Sequence, residues 1–248
     1  MTKIHVLLRK EEISPDKLAV GYKIAIVLDV LLATTTITSA LYDGATEVVP
    51  VMNRVEAKRR CQEYKQGHYV LAGEERAQPI EGFVYPSPLI LRPFVKKKAL
   101  ILSTTNGTVA LKKAARAKKV YASSLLNNPS VASAVKQNQE VDTIVIICAG
   151  NSGEVSLEDL YGAGDFIHSL LNDHHSTYEL TDAATAALSF YKGCSKAYDV
   201  LSSSRVGRLL KRYDALEELV FAAKKGTMNV VPILQGEKIV LDYSTQPF

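Results

Sequence analysis

A chain of 248 residues, 47% hydrophobic and 23% charged with a formal net charge of +4, can bury one large α/β core and is too evenly mixed for a disordered protein. Its positive excess is scattered apart from runs such as Lys96-Lys97-Lys98, and it lacks tryptophan, whereas a nucleic-acid partner calls for a dense basic stripe with interleaved aromatics. No apolar run reaches the roughly 18–20 residues of a membrane span, the start MTKIHVLLRKEEISPDK is charged too early for a signal peptide, and Cys61, Cys148 and Cys194 lack zinc spacing and suit a reducing, cytoplasmic setting.

Short apolar runs then alternate with helical periodicity. Residues 24–30 (IAIVLDV) read as a buried strand, and 34–42 as a helix closed by Asp43-Gly44-Ala45. Residues 48–51 form the next strand, 54–66 an amphipathic helix stopped by Gly67, and 68–72 a strand leading into Gly73-Glu74-Glu75-Arg76. Residues 77–93 are irregular and hold Pro79, Pro86, Pro88 and Pro93. Strands follow at 99–103, 119–122 and 143–148, each leading to a helix: 107–117, 129–137, and 157–171 interrupted by Gly162 and Gly164. Residues 183–201, 206–210 and 213–224 are helical, and a last strand pair covers 230–234 and 238–241.

Continuous apolar strands between amphipathic helices predict a three-layer α/β/α domain over residues 1–248, with a mostly parallel or mixed sheet. Three strand exits, "IVLDVLLATTTITSAL", "LILSTTNGTVAL" and "IVIICAGNSGEVSLEDL", share one form. Either a weak internal duplication, with two subdomains dividing near residues 125–140, or the general grammar of α/β chains produces this likeness. In such sheets ligands gather outside the carboxyl ends of the strands. Four exits are therefore candidates: residues 29–36, 73–76, 103–108 and 148–159.

Ser103-Thr104-Thr105-Asn106-Gly107-Thr108 ends a strand and begins a helix. Unpaired N–H groups at a helix start favour an anion, Gly107 permits close approach, and the hydroxyls add donors. The alternative is a simple N-cap. Asp29 ends an apolar strand, so its carboxylate is a metal ligand, a catalytic group or a capped structural residue. Glu74, Glu158 and Asp159 are oxygen donors of the kind Mg²⁺ prefers, though Glu158 and Asp159 also suit a helix N-terminus. Cys148 reads as a buried structural cysteine, and His168, His174 and His175 as an accidental tract. Arg205 and Arg208 are candidate anion clamps.

In register, "DVLLATTTITSALYDGA", "LSTTNGTVAL", "ASSLLNNPSVA", "ICAGNSGEVSLEDLYGAG" and "SRVGRLL" resemble the 2-phosphosulfolactate phosphatase family over nearly the whole chain. The resemblance implies a Mg²⁺-dependent α/β phosphatase that converts (R)-2-phospho-3-sulfolactate to 3-sulfolactate and phosphate. In methanogens that step belongs to coenzyme M biosynthesis. One segment, "GEERAQPIEGFVYPSP", departs from the family pattern of Gly-Glu-Arg, Gly-Phe-Asp and Gly-Asn-Ser-Pro. Val84 stands at the Asp, Pro86 stands near the Asn, and the segment is one residue shorter.

On that resemblance the catalytic residues are Asp29, Glu74, Arg76 and Arg205. Asp29 and Glu74, with Glu158 or Asp159, would hold the metal. Thr34, Thr35, Thr104, Thr105, Asn106, Gly107, Thr108, Asn127 and Gly150 would line the small anionic substrate. The alternatives are a phosphatase for another small phosphorylated hydroxy acid and a non-catalytic anion-binding protein. A homodimer is the base-rate expectation for the assembly.

Overall fold

Ile24, Ile26 and Leu28 alternate with Ala25 and Val27, and Ile144 and Ile146 alternate with Val145 and Ile147. All are buried, so both strands are covered on two faces. The computed structural model describes residues 1–75, 78–138, 140–172 and 178–244. Among them are strands β1 (Thr2–Leu7), β2 (Lys23–Leu28), β3 (Glu47–Val51), β4 (Tyr69–Glu75), β5 (Gln78–Pro79), β6 (Ala99–Ser103), β7 (Lys119–Ser123), β8 (Thr143–Cys148), β9 (Tyr178–Leu180), β10 (Pro232–Gln235) and β11 (Lys238–Leu241). They form one mixed, mostly parallel sheet in the order β5-β4-β6-β3-β11-β10-β7-β2-β8-β1-β9.

Helices cover both faces, giving the α/β/α layering. Ile37, Ala40 and Leu41 of helix Ala33–Tyr42, with Ala110, Leu111 and Ala114 of helix Gly107–Ala114, pack against Ala25, Val27, Leu100 and Leu102. On the other face of β2, β8 and β1 lie helices Asn128–Lys136, Leu157–Leu171 and Asp182–Gly193.

The sheet contains two parallel blocks, β4-β6-β3 and β7-β2-β8-β1-β9. The antiparallel hairpin β10-β11 joins them, through Ile233 against Tyr121 on one flank and Ile239 against Val48 on the other. Along the ladder the blocks therefore run in opposite senses. Sheet twist accumulates at about 20–25° per strand, so from β2 to β6 the strand directions rotate well away from a simple antiparallel relation. Helices Ala33–Tyr42 and Gly107–Ala114 fill one core shared by both blocks, which brings the exits of β2 and β6 together.

The described elements depart from the sequence reading where tertiary pairing overrides local pattern. Thr2–Leu7, Pro15–Ala19 and Tyr178–Leu180 were not expected as elements. β1 carries Lys3 and His5 among its apolar residues, and only its parallel pairing with β8 and β9 makes it a strand. The expected helix 183–201 is two helices, Asp182–Gly193 and Ala197–Ser203, parted after Gly193. Within the irregular 77–93 stretch, Ser87 caps a short helix, Pro88–Leu91.

Gly162 and Gly164 do not interrupt helix Leu157–Leu171, because they are packing residues. A side chain at Gly162 would lie 3.0 Å from Val30 Cγ2, and one at Gly164 would overlap the Ala187 carbonyl and Tyr191 Cβ. Gly164→Ala should therefore separate two buried helices and lower stability by roughly 1–3 kcal/mol. Thermal unfolding followed by circular dichroism tests this, and an unchanged midpoint would refute the close approach.

Candidate active site

Helices Ala33–Tyr42 and Gly107–Ala114 start without a side-chain cap from their own N-cap residues, Leu32 and Asn106. One residue serves both. The Asp29 carboxylate stands just beyond β2, facing the backbone amides of Ala33 and Gly107, which favour its charged form. Asp29 thus faces the positive end of two helix dipoles. A Cβ on Gly107 would lie 2.5 Å from Ala33 Cβ and 2.7 Å from Asp29 Oδ2. Gly107 is needed for close approach, as the sequence suggested, and what approaches is the protein's own carboxylate.

The neighbouring polar groups are committed in the same way. Thr105 donates its amide (2.7 Å) and hydroxyl (3.0 Å) to the two oxygens of Glu74, at the exit of β4. The Thr104 and Thr108 hydroxyls close the first turn: the Thr104 amide donates to Thr108 Oγ1 (3.1 Å), and the Thr108 amide to Thr104 Oγ1 (3.2 Å). The Thr34 hydroxyl exchanges 3.0 Å bonds with the backbone N–H and C=O of Asp29, and Thr35 donates to Val30 O at 2.8 Å. Both threonines are fully buried.

Asp159 bridges two strand exits by accepting from Val30 N (2.9 Å) and Gly150 N (3.1 Å). Gly150 holds φ +68° and abuts Arg9, at a turn where a side chain would be strained. Asn127 is fully buried; it accepts from Ser124 N and donates to Val230 O, which fixes the turn after β7. Glu158, one residue before Asp159 in the same helix, lies near Ser156 and Ser204 and feels the charge of Arg208.

Burial raises three of these carboxyls, and acidic neighbours add to it at Asp29 and Asp159. Burial, then the charges of Glu74 and Glu158, push Asp29 up to about 7. Burial, then Asp29 and Glu158, push Asp159 well above the carboxylate range. Glu158 is also raised, with burial as the largest cause. Four acidic residues from three segments therefore face one another with little cationic compensation. Among the described residues no three His, Cys, Asp or Glu side chains converge into a metal-holding group of their own.

Arg208 carries the basic charge nearest Glu158 and donates to Ser203 O, while Arg205 is exposed at the first position of helix Arg205–Arg212. Arg76, His174 and His175 lie outside the described residues. Cys148 is fully buried, and burial, then Asp159, lift its thiol well above the ordinary range, so it is no thiolate nucleophile. The sequence reading missed Ser204 and Lys10. A serine followed by a helix was the available signal for Ser204, whereas Lys10 follows the unrecognised strand β1.

The divergent loop runs beside this site. Val84 bonds along the edge of β4, donating to Leu71 O and accepting from Gly73 N, and the Pro86 carbonyl accepts from Thr36 at 2.8 Å. Half-buried Tyr85 lies within electrostatic reach of Glu74 and Glu218.

The family profile described as 2-phosphosulpholactate phosphatase matches residues 7–237. The chain belongs to this family. Among the family's curated members, a probable 2-phosphosulfolactate phosphatase of Clostridium botulinum (strain Eklund 17B / Type B) is 32% identical over 240 residues, covering 96% of this chain and 99% of the relative. One from Clostridium perfringens (strain SM101 / Type A) is 36% identical over 233 residues, covering 92% of each. One from Caldanaerobacter subterraneus subsp. tengcongensis is 37% identical over 217 residues, covering 86% of this chain and 88% of the relative. The family match therefore spans both sheet blocks and all four strand exits that meet at Asp29.

Proposed function

We propose that this chain is a Mg²⁺-dependent phosphoric monoester hydrolase that converts 2-phospho-3-sulfolactate to 3-sulfolactate and phosphate. The observation that carries the reading is the cluster of Asp29, Glu74 and Glu158, whose charges oppose one another around a double helix start. Family membership supplies the substrate class.

The residues fit the metal. Buried like charges favour a hard divalent cation, and Mg²⁺ commonly takes one or two protein carboxylates and keeps several waters. In this reading Asp29 would hold the ion, with Glu74 or Glu158 reaching it through water, and Asp159 braces the backbone of Val30 and Gly150 beside it. When bound, the ion supplies positive charge against phosphoryl oxygens and makes a nearby water more acidic.

The remaining work belongs to the chain. The Thr105–Glu74 and Asp29–Gly107 contacts fix the carboxylates in place, so little reorganisation accompanies charge development. Arg208 and Arg205, on one helix, balance the phosphate's charge. A water oxygen bonds to phosphorus, the bond from phosphorus to the C2 oxygen breaks, a carboxylate takes the water's proton, and a proton returns to the leaving alkoxide.

Phosphate release from 2-phosphosulfolactate, measured with Mg²⁺ and then with EDTA, tests this. The expected result is release that EDTA stops. Release only from phospholactate or phosphoglycolate would assign the change to the loop holding Val84 and Pro86. No release from any of them would favour the anion-binding alternative.

A further inference from the structure

The segment after β1 enters the site beside the exits of β6 and β8. Lys10 N donates to Ala149 O at 3.2 Å, and Arg9 donates to Gly153 O at 2.9 Å, which pins the backbone there. Lys10 then reaches across to helix Gly107–Ala114, and its ammonium donates to Asn106 Oδ1 at 2.8 Å. Its side chain is only 12% exposed and pairs with the more exposed Glu11 at 2.9 Å.

Asn106 makes no side-chain cap bond to its own helix, so its amide oxygen is turned to Lys10. It lies between Thr105, which grips Glu74, and Gly107, which touches Asp29. Lys10 thus contacts the residue that lies between both acidic contacts.

The substrate proposed above has three anionic groups, of which one reacts. With Asp29, Glu74 and Glu158 around the phosphate, a non-reacting anionic arm needs a cation outside that acidic centre. Lys10 is held there by a neutral amide and by a counter-ion on its solvent side, which the arm can replace.

We propose that Lys10 binds a non-reacting acidic arm of the substrate, its sulfonate or its carboxylate, and so selects for a doubly or triply anionic phosphate ester. This rests on the phosphatase reading. The role is binding of substrate in ground and transition states alike, so it governs KM rather than kcat.

The test compares wild type, Lys10→Met and Lys10→Arg on three esters. They are 2-phosphosulfolactate, 2-phospholactate, which lacks the sulfonate, and 2-phosphooxyethanesulfonate, which lacks the carboxylate. Lys10→Met should raise KM for 2-phosphosulfolactate about 10- to 100-fold, the loss expected for one charge-assisted hydrogen bond. It should leave kcat within about threefold, and Lys10→Arg should recover most of the affinity. The truncated ester whose KM ignores Lys10→Met lacks the arm that Lys10 holds. An unchanged KM for the full substrate, or equal KM losses on all three esters, overturns the proposal.

Calorimetric binding of 3-sulfolactate to the same proteins separates this inference from the phosphatase reading. If wild type hydrolyses none of the esters, the phosphatase reading fails; weaker 3-sulfolactate binding by Lys10→Met would still support the Lys10 contact. Equal binding by both proteins, or none by either, would overturn it.

Discussion

Asp29→Asn should reduce phosphate release by at least about 10³-fold while leaving the protein folded and, in metal-free buffer at pH 8, more stable than wild type. Both effects have one cause. Asp29 is buried among like charges; burial and those charges push it up to about 7 from the ordinary 3.8 of an aspartate. Between those values the native carboxyl keeps a proton that the unfolded chain has released, so wild-type stability falls as pH rises through this window. Asparagine keeps an acceptor for the Ala33 and Gly107 amides and has no charge to desolvate. Its advantage should be absent near pH 3, grow above pH 4 and level off above pH 7, at a few kcal/mol. At this chain length each kcal/mol moves the unfolding midpoint by about 2–4 °C. Unfolding scans from pH 4 to 8 in EDTA, beside a phosphate-release assay, read both halves. A variant that keeps its activity removes Asp29 from the mechanism, and a variant less stable at pH 8 shows that the charge is compensated in the native protein.

Gly107→Ala should be nearly as damaging, and in the opposite direction for stability. The added methyl would meet Ala33 Cβ at 2.5 Å and the Asp29 side chain at 2.7 and 2.9 Å. Neither neighbour can easily yield: Ala33 begins a buried helix, and Asp29 is buried with its backbone held by the Thr34 hydroxyl. Overpacking of this kind costs roughly 1–3 kcal/mol. Because the methyl pushes on Asp29 itself, phosphate release should fall by about 10²-fold, the scale of a misplacement near 1 Å. Gly193→Ala is the control, since a methyl there meets nothing within 4 Å and should leave both quantities unchanged. If Gly107→Ala behaves like Gly193→Ala, the two helix starts do not meet at Asp29.

The divergent loop bears on both experiments. Val84 follows the edge of β4, and the Pro86 carbonyl satisfies Thr36, so this segment is built into the wall beside Glu74. Ser87 donates to Glu218, whose second oxygen is buried without a hydrogen-bond partner among the described residues. Burial is the largest cause raising Glu218. The loop and helix Leu216–Ala222 thus meet through an uncomfortable carboxyl, and substitutions there should be read for stability before they are read for specificity.

Local chemistry made much of this protein legible. Alternating and continuous apolar runs identified β2, β6 and β8, because burial on two faces leaves no polar position in a strand. Glycine and proline marked most helix ends, and the strand-exit rule brought Asp29, Glu74, Thr105, Gly107, Glu158 and Asp159 forward as one set. What each of them does there depended on the tertiary structure. The sequence offered the turn at Ser103–Thr108 as a cradle for an outside anion; in the fold Asp29 closely approaches Gly107, and the Thr105 donors are filled by Glu74. That outcome requires the β10-β11 hairpin to join the two parallel blocks and two helices to pack on strands of both, a long-range event that no window of sequence encodes. Residue type and spacing determined which groups end the strands, while the path of the sheet decided which of those ends meet, and with them the charges that raise Asp29 and the reach of Lys10 to Asn106.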